Sequence, residues 1–581
     1  SRWAIYPLAH VLSVLPERPA LVAGFTVRAS PYIRRSEASM VVDRATWSFS
    51  EVDTRDDYAA CVESSVHLDA DGVIALVGEL VDQLGEGATW GALTDALVDS
   101  VGIDRERAEE LTSSMVRLGV IVAPGLSLDS FDSESFESTL AQLAAGGAAT
   151  TDLVLALQTY RDEAAELAAM SNAIERADRV RGLRAKVAHV YQLAGITAEP
   201  PRSVVYEDVV IGSEDQQWPI QLNESVARAL LEFVDLLDTS HLKRDLLSGY
   251  YLRCIEAGEH IDGVAEFLRG LDVDLLESFE GYAVSDIADD DLADDPWLRW
   301  GGAWRREGAR RALVARLGSL QYTLPLGDLD GLAAFAAPSI DLSAQVHELA
   351  GATRRLRAPF RHANLLMQRD EDSGQLVLND CFGGVGFPVS RFSHIIAGRA
   401  SAFTEGIELA AVTAGVRLVE ISGGNVFSNL NLHDSIVSTR LLVPGDPVRD
   451  GASHVRLEEL AVRWSKVQQS AVLVDRASGE LVHPEYAGYL IPAATPRLHQ
   501  MLSLFTPSAN ISTKPADVLR SVPDIGSVVV RPRMTVGGVV VVRAAVVARA
   551  IDFPNLDPLT REGNIAWQRF WARRGLPQRV Y

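Results

Sequence analysis

The sequence predicts a multi-subdomain α+β protein, with mixed sheets and helices and an embedded winged-helix element. Three observations carry this. At 581 residues the chain exceeds what one hydrophobic core serves. Its first part sets strand-like segments ahead of three capped helices and a short returning strand. Beyond residue 360, β-branched runs and glycine loops replace the helical periodicity of the middle.

In order, apolar residues at helical spacing over Trp3 to Leu15 predict a helix closed by Pro16 and Pro19. Ala20 to Arg28, Ala38 to Asp43 and Ala59 to Leu68 read as strands. Asp69 is placed to cap a helix over Ala70 to Leu84, Thr89 one over Trp90 to Val101, and Asp104 one over Arg105 to Leu118; Gly119 stops the last. Val120 to Val122 is the returning strand. Residues 126–150 read as a linker or weakly ordered helix, and Thr151 to Ala194 as a long helical region broken near Ser171. Arg202 to Ile211 is strand-like and carries Asp208. Helices are expected over Glu224 to Leu237, Lys243 to Glu256, Trp304 to Leu317 and Leu342 to Ala358. Strands follow at Ala363 to Gln368, Gln375 to Leu378, Ala410 to Ile421, Ile436 to Val443, Ser470 to Val474 and Val528 to Arg549. Within the last, Ser527 to Arg533 and Val539 to Arg543 read as a hairpin about Gly537 and Gly538. A basic aromatic helix over Ile565 to Arg574 ends the series. The division expected is 1–23 as the N-terminal helix of a truncated first subdomain, 24–125 as the winged-helix element, 126–330 as a mainly helical region, and 331–581 as an α/β catalytic half with a basic C-terminus.

Composition excludes several classes. Residues are 47% hydrophobic and 23% charged, and no apolar run is long enough to span a bilayer. Cys61, Cys254 and Cys381 are far apart and without neighbouring ligands, as reduced thiols of a cytoplasmic protein would be. A formal charge of −24 opposes indiscriminate nucleic-acid binding. Its distribution is uneven: residues 501–581 hold eleven Lys or Arg against five Asp or Glu, so this part can face a polyanion. The run Asp289 to Asp291 with Asp294 and Asp295 lacks calcium-loop spacing and reads as a solvated loop, so no metal site is expected.

No catalytic constellation is legible by spacing alone. The loop Cys381 to Pro388 is glycine-rich but has neither a P-loop ending nor a dinucleotide fingerprint. His433, Asp434 and Ser435 are adjacent, and adjacent side chains diverge, so they do not predict a triad. The third helix of the winged pattern begins Arg105-Glu106-Arg107-Ala108-Glu109-Glu110. Its acidity opposes major-groove docking and leaves two readings, strand addition of a peptide at the sheet edge or a purely structural unit.

A set of weak signals in fixed order adds to this. They are the Asp208 strand, Tyr250 to Arg253, Ser390-Arg391-Phe392 after the glycine loop, Glu420-Ile421 before an asparagine-rich loop (Asn425, Asn429, Asn431), and Leu457 to Leu460. Gly479 to Val482 before His483-Pro484, Pro492 with Pro496, Arg531-Pro532-Arg533 and Trp571 to Val580 complete them. Together they resemble the N-terminal glutamylation domain of lantibiotic dehydratases, of the split thiopeptide-type kind. The resemblance implies transfer of glutamate from glutamyl-tRNA to Ser and Thr of a ribosomally made precursor peptide, the first half-reaction of dehydration in lanthipeptide or thiopeptide biosynthesis. It implies glutamyl-tRNA as co-substrate with no bound cofactor, a leader-and-core precursor peptide, and a separate glutamate-elimination lyase as partner; homodimerisation stays open. By position it carries over Arg391 and Asp208 as catalytic residues. Arg533, Arg543, Arg573 and Arg574 become tRNA contacts, and Val62, Val66, Met115 and Leu118 leader-peptide contacts. Related peptide aminoacyl-tRNA ligases and a non-catalytic peptide-binding scaffold are the alternatives. The family's Arg-x-Thr-Pro-x-Gly motif, missing ahead of Trp3, reads as an incomplete chain or a degenerate homologue, and the Ser1 start favours the first.

Overall fold

The structure is a computed structural model. It describes the chain apart from residues 1, 36–38, 50–59, 70–71, 130–134, 209–222, 239, 260, 262, 277–278, 280–283, 297, 300–301, 326–338, 353–357, 371–373, 388, 394, 396, 424–430, 432, 448–452, 490–494, 508–518, 520–522, 553, 558 and 574–581. The architecture is α+β, with several mixed sheets among helices.

The N-terminal part forms one core. Helix Ile5–Val14 is buried along nearly its whole length and packs with helices Val73–Leu84, Trp90–Val101, Thr151–Glu166 and Ala173–Ala194. Local chemistry sets the helix ends. Thr89, Asp104 and Asn172 accept hydrogen bonds from the first-turn amides of their helices, and Gly102, Gly119 and Gly195 close three helices in the left-handed conformation. Against this core lies an antiparallel sheet in the order Ile33–Arg35, Ser39–Ser48, Ala60–Asp69.

Several expectations needed correction. Ala20 to Arg28 is not a strand. Pro19 opens the short helix Pro19–Val22, and beyond an isolated bridge of Thr26 to Thr89 the pairing is that of Arg28–Ala29 with Ile121–Val122; the first half of the segment is helical, and its apolar residues are inside because tertiary packing buries them. Asp69 ends its strand, and the next helix starts at Val73 after Gly72, with no side-chain cap. Residues 126–150 hold the helix Ser135–Ala145. Of Arg202 to Ile211, only Val205–Tyr206 forms strand among the described residues, paired with Arg2–Trp3.

Two further cores follow. Helices Glu224–Leu237, Ala303–Ser319 and Ser343–Ala352 cover a five-stranded sheet, in the order Asn364–Arg369, Leu376–Phe382, Val539–Val542, Met534–Val536, Ile340–Asp341. Gly537 and Gly538, with φ of 59° and 80°, make the predicted turn. The strand entering it is Met534–Val536; Pro532 breaks the run, and Ser527–Arg531 joins a separate sheet between Tyr322–Pro325 and Ala545–Val547.

The remaining sheet positions the candidate site. Its six strands run His454–Arg456, Arg440–Leu442, Val416–Ile421, Leu481–Tyr486, Ser470–Asp475, Leu460–Ser465, the first four parallel. Val419, Ile421 and Val482 face helices Ser240–Glu256, Val264–Leu271 and Arg497–Leu502, while Val416 and Leu418 face Phe360 and helix Ala397–Thr413. Ala410 to Ile421 was expected as strand throughout. Its alanine-rich first half continues the helix to Thr413, and Gly415 (φ 73°) turns the chain into the strand.

Candidate functional site

Ligands of parallel sheets gather beyond the carboxyl ends of the strands, where successive loops diverge. Here Val416–Ile421 and Leu481–Tyr486 lie side by side and in register, Glu420 opposite Glu485 and Ile421 opposite Tyr486. The glycine loop leans on this edge. Gly384 has φ 75°, and a Cβ there would stand 2.4 Å from the Tyr486 carbonyl oxygen, so only glycine admits the approach. Asn364 donates Nδ2 to the Gly383 and Gly384 carbonyls at 3.1 and 2.8 Å. His362 bridges Gly384 O (Nδ1, 3.1 Å) and Glu485 Oε1 (Nε2, 2.8 Å). The Tyr486 hydroxyl donates to Asn431 Oδ1 at 3.0 Å, and Asn431 returns to the Ser422 carbonyl.

The loop delivers Arg391. Its Nη2 donates to Asp208 Oδ1 at 2.7 Å, across 183 positions of sequence. The guanidinium lies 5.4 Å from the Phe392 ring centroid and 5.5 Å from that of Tyr489, and Tyr489 stacks on Phe387 at 5.2 Å. Side-chain exposure is 18% for Arg391 and 10% for Asp208. Two residues that sequence order alone paired are therefore in contact. Among the described residues, Asp208 is the one hydrogen-bond partner of the guanidinium, so its other donors can meet an anion. Such a planar cation between aromatic faces suits a carboxylate or phosphate.

Beneath lies a buried polar layer that spacing did not disclose. Glu420 Oε2 accepts from Ser435 Oγ (2.8 Å), Ile436 N (2.8 Å) and Val437 N (2.9 Å). Burial raises its pKa, opposed by His433 and these hydrogen bonds. His433 Nδ1 is 2.8 Å from the Asp434 carbonyl and 3.8 Å from Glu420 Oε1. Ser435 and His433 each turn to Glu420 and not to one another, so this is a clamp on the loop and not a triad. Burial, then the neighbouring His362, lowers His483 to about 3. The glutamates could have been suspected as lone acids inside β-branched runs, Val419-Glu420-Ile421 above all.

The other predicted residues lie elsewhere. Val62, 53% exposed, and the half-buried Val66 sit on the outer strand Ala60–Asp69. Met115 is buried in the N-terminal core and Leu118 packs against it. Close by, a cavity of about 440 Å³ opens between Arg44 and Thr46 of the middle strand, Tyr32, and Val116, Arg117 and Gly119 at the end of helix Arg105–Leu118. Arg533 reaches Gln375 (3.4 Å), and Arg543 reaches Gln368 (2.9 Å) and Asn379 (2.5 Å), all at the surface. Arg573 is exposed at the end of helix Arg561–Arg573; Arg574, like Asn425 and Asn429, lies outside the described residues. Asp289, in the acidic run, pairs with Arg311 at 2.7 Å. Among the described residues no three metal-ligating side chains gather, and no helix is long and apolar enough to cross a membrane.

Residues 5–243 match the family model described as lantibiotic dehydratase, N terminus. Among solved structures, the glutamylation domain TbtB from thiomuracin biosynthesis superposes with TM-score 0.61 at 18% identity, over 99% of this chain and 65% of that one. The same domain bound to 5'-phosphodesmethylglutamycin gives 0.59 at 18% identity, with the same coverage. The tRNA-dependent lantibiotic dehydratase MibB from Microbispora sp. 107891 gives 0.57 at 16% identity, over 100% of this chain and 53% of that one. The chain thus spans about two thirds of the thiomuracin domain's chain and about half of MibB. No curated protein matches. Residues 5–243 thus resemble the lantibiotic dehydratase N terminus, and over its whole length the chain shares the fold of the TbtB glutamylation domain.

Proposed function

We propose that the protein transfers glutamate from glutamyl-tRNA to Ser and Thr hydroxyls of a ribosomally made precursor peptide, preparing them for elimination by a separate lyase in lanthipeptide or thiopeptide biosynthesis. The observation that carries this reading is the Arg391–Asp208 pair, set among aromatic rings at the carboxyl edge of the parallel sheet in a chain of this fold. In the reaction a peptide hydroxyl attacks the aminoacyl ester carbonyl. A new ester forms, the bond to the tRNA ribose breaks, and the hydroxyl proton passes to the departing ribose oxygen. Arg391 holds the negative charge of the glutamate carboxylate or of the tetrahedral oxyanion, and Asp208 fixes the plane of its guanidinium. No cofactor enters this scheme.

The leader would add as a strand beside Ala60–Asp69, touching Val62 and Val66, with Met115 and Leu118 stiffening the helix behind from within the core. The tRNA would lie along Arg533, Arg543, Arg573 and Arg574, opposite to the acidic remainder. Such a protein works in the cytoplasm, where charged tRNA is found.

The test incubates the protein with a Ser/Thr-bearing precursor peptide and glutamyl-tRNA and weighs the peptide. Glutamyl adducts released by mild base support the reading. A base-stable residue at the peptide C-terminus, formed only with ATP, would mean a ligase; tight leader binding without mass change would mean a scaffold. Charge reversal at Arg573 and Arg574 is expected to weaken tRNA binding and flatten the slope of log K against log salt by about 1–2. Filter binding across a salt series reads this, and an unchanged slope removes the two arginines from the tRNA surface.

A further inference from the structure

Among the described residues, one of the bonds that hold the loop carrying Arg391 reaches into the sheet. Gly384 has no side chain, so its carbonyl is the handle by which neighbours hold it. Asn364 grips this carbonyl from the strand Asn364–Arg369, and His362 grips it from just before that strand. His362 is itself held by Glu485, which is fully buried near the carboxyl end of the strand beside Val416–Ile421. Glu485 Oε2 has no hydrogen-bond partner among the described residues, so His362 is the one described side chain its carboxylate engages by hydrogen bond. A buried carboxylate is costly, and here its charge is met by His362 through a hydrogen bond and by the Arg244 cation at longer range, an expense that fits a group fixing a geometry. From Gly384 the chain needs only seven positions to reach Arg391, through Phe387 on the Tyr489 ring and a turn closed by Val389 N and Ser390 N on the Gly386 carbonyl.

We infer that His362, anchored by Glu485, is a positioning residue that sets the glycine loop and hence the guanidinium of Arg391 for transfer. The inference rests on the proposed glutamyl transfer for its kinetic consequence, but not for its structural one. His362 touches neither Arg391 nor Asp208 in any recorded hydrogen bond or ion pair, so its effect passes through the Gly383 and Gly384 backbone. A misplaced anion clamp lowers turnover more than binding.

The experiment compares wild type with His362→Ala, His362→Asn and Glu485→Gln. It uses single-turnover and steady-state glutamylation, and hydrogen exchange of peptides covering 383–393. His362→Ala is expected to lower kcat by about 100-fold with KM for peptide and tRNA changed by less than about two-fold, and to speed exchange across 383–393. His362→Asn keeps a donor for the Gly384 carbonyl and should recover about ten-fold of that loss; Glu485→Gln keeps an acceptor for the ring and should stay nearer wild type than His362→Ala. A His362→Ala variant that retains wild-type kcat overturns the inference. So does one whose 383–393 exchange is unchanged, or an asparagine variant as impaired as alanine. Should the wild type transfer no glutamate, the functional reading fails, and exchange over 383–393 still decides whether His362 holds the loop.

Discussion

Arg391→Ala should lower glutamyl transfer by about 100- to 1,000-fold while leader affinity stays at the wild-type value. The separation follows from the fold, since Arg391 belongs to the glycine loop at the six-stranded sheet and Val62 to a sheet in the N-terminal part. Arg391→Lys should recover little, because an ammonium has neither the planar face that lies between Phe392 and Tyr489 nor the fork that meets Asp208 and a second anion together. The competing reading is that the 2.7 Å pair only ties Asp208's segment to the glycine-loop region. The two are told apart by rate per folded molecule. A purely structural pair would lower the melting temperature of both Arg391→Ala and Asp208→Asn and leave transfer at permissive temperature unaffected. Initial rates by peptide mass, alongside thermal melts, give the answer, and normal glutamylation by Arg391→Ala would remove this residue from the chemistry.

Asp446→Asn should change how stability depends on pH. Asp446 is half-buried in the turn after Arg440–Leu442, accepting from Ser422 Oγ at 2.7 Å and Val443 N at 3.0 Å. Burial pushes its pKa up to about 7, with Asp129 adding to the rise and Ser422, Val443 and Arg440 opposing it. The folded chain therefore keeps a proton that the unfolded chain has lost, from about pH 4 upward. Stability from this group is full below the unfolded value and falls as pH rises towards about 7. Asparagine keeps an acceptor for the Val443 amide, its Nδ2 can donate to Ser422 Oγ, and it has no proton to lose. Relative to Asp446→Asn, wild type should lose on the order of 3–4 kcal/mol between pH 4 and pH 8. Urea unfolding at these two pH values measures it, and parallel stability curves would show that burial does not govern this carboxyl. The turn also carries a long-range contact, since the Tyr32 hydroxyl donates to the Asp446 carbonyl at 2.9 Å. Glu63 accepts from Leu498 N at 3.0 Å, and Arg269 pairs with Asp43 at 2.7 Å. The sheet proposed to take the leader is thus bonded directly to the six-stranded sheet's turn and to the helices Val264–Leu271 and Arg497–Leu502.

Local chemistry was well declared in the residues. Thr89, Asp104 and Gly119 set helix ends where their side chains, or the lack of one, predict, and helix Glu224–Leu237 runs over the expected span. Errors came where burial and periodicity separate. Phe25 and Val27 suggested a strand because they are apolar, yet they are inside because helix Ile5–Val14 and its neighbours enclose them. The same holds for the chain after Ser527, where β-branched runs announced strands without saying which sheet each joins, and Pro532 divided them.

The sequence by itself determined the α+β class and most helix boundaries and, through an ordered set of weak motifs, pointed to a family resemblance and to the two residues Arg391 and Asp208. These depend on capping, periodicity and residue order, which are local properties. Only the tertiary structure decided that Arg391 and Asp208 meet, that Glu420 clamps a loop and forms no triad with His433 and Ser435, and that Glu485 reaches the glycine loop through His362. The first and last of these contacts close 183 and 123 positions of chain. The free energy that holds them comes from burial and register across strands distant in sequence, which no local pattern encodes.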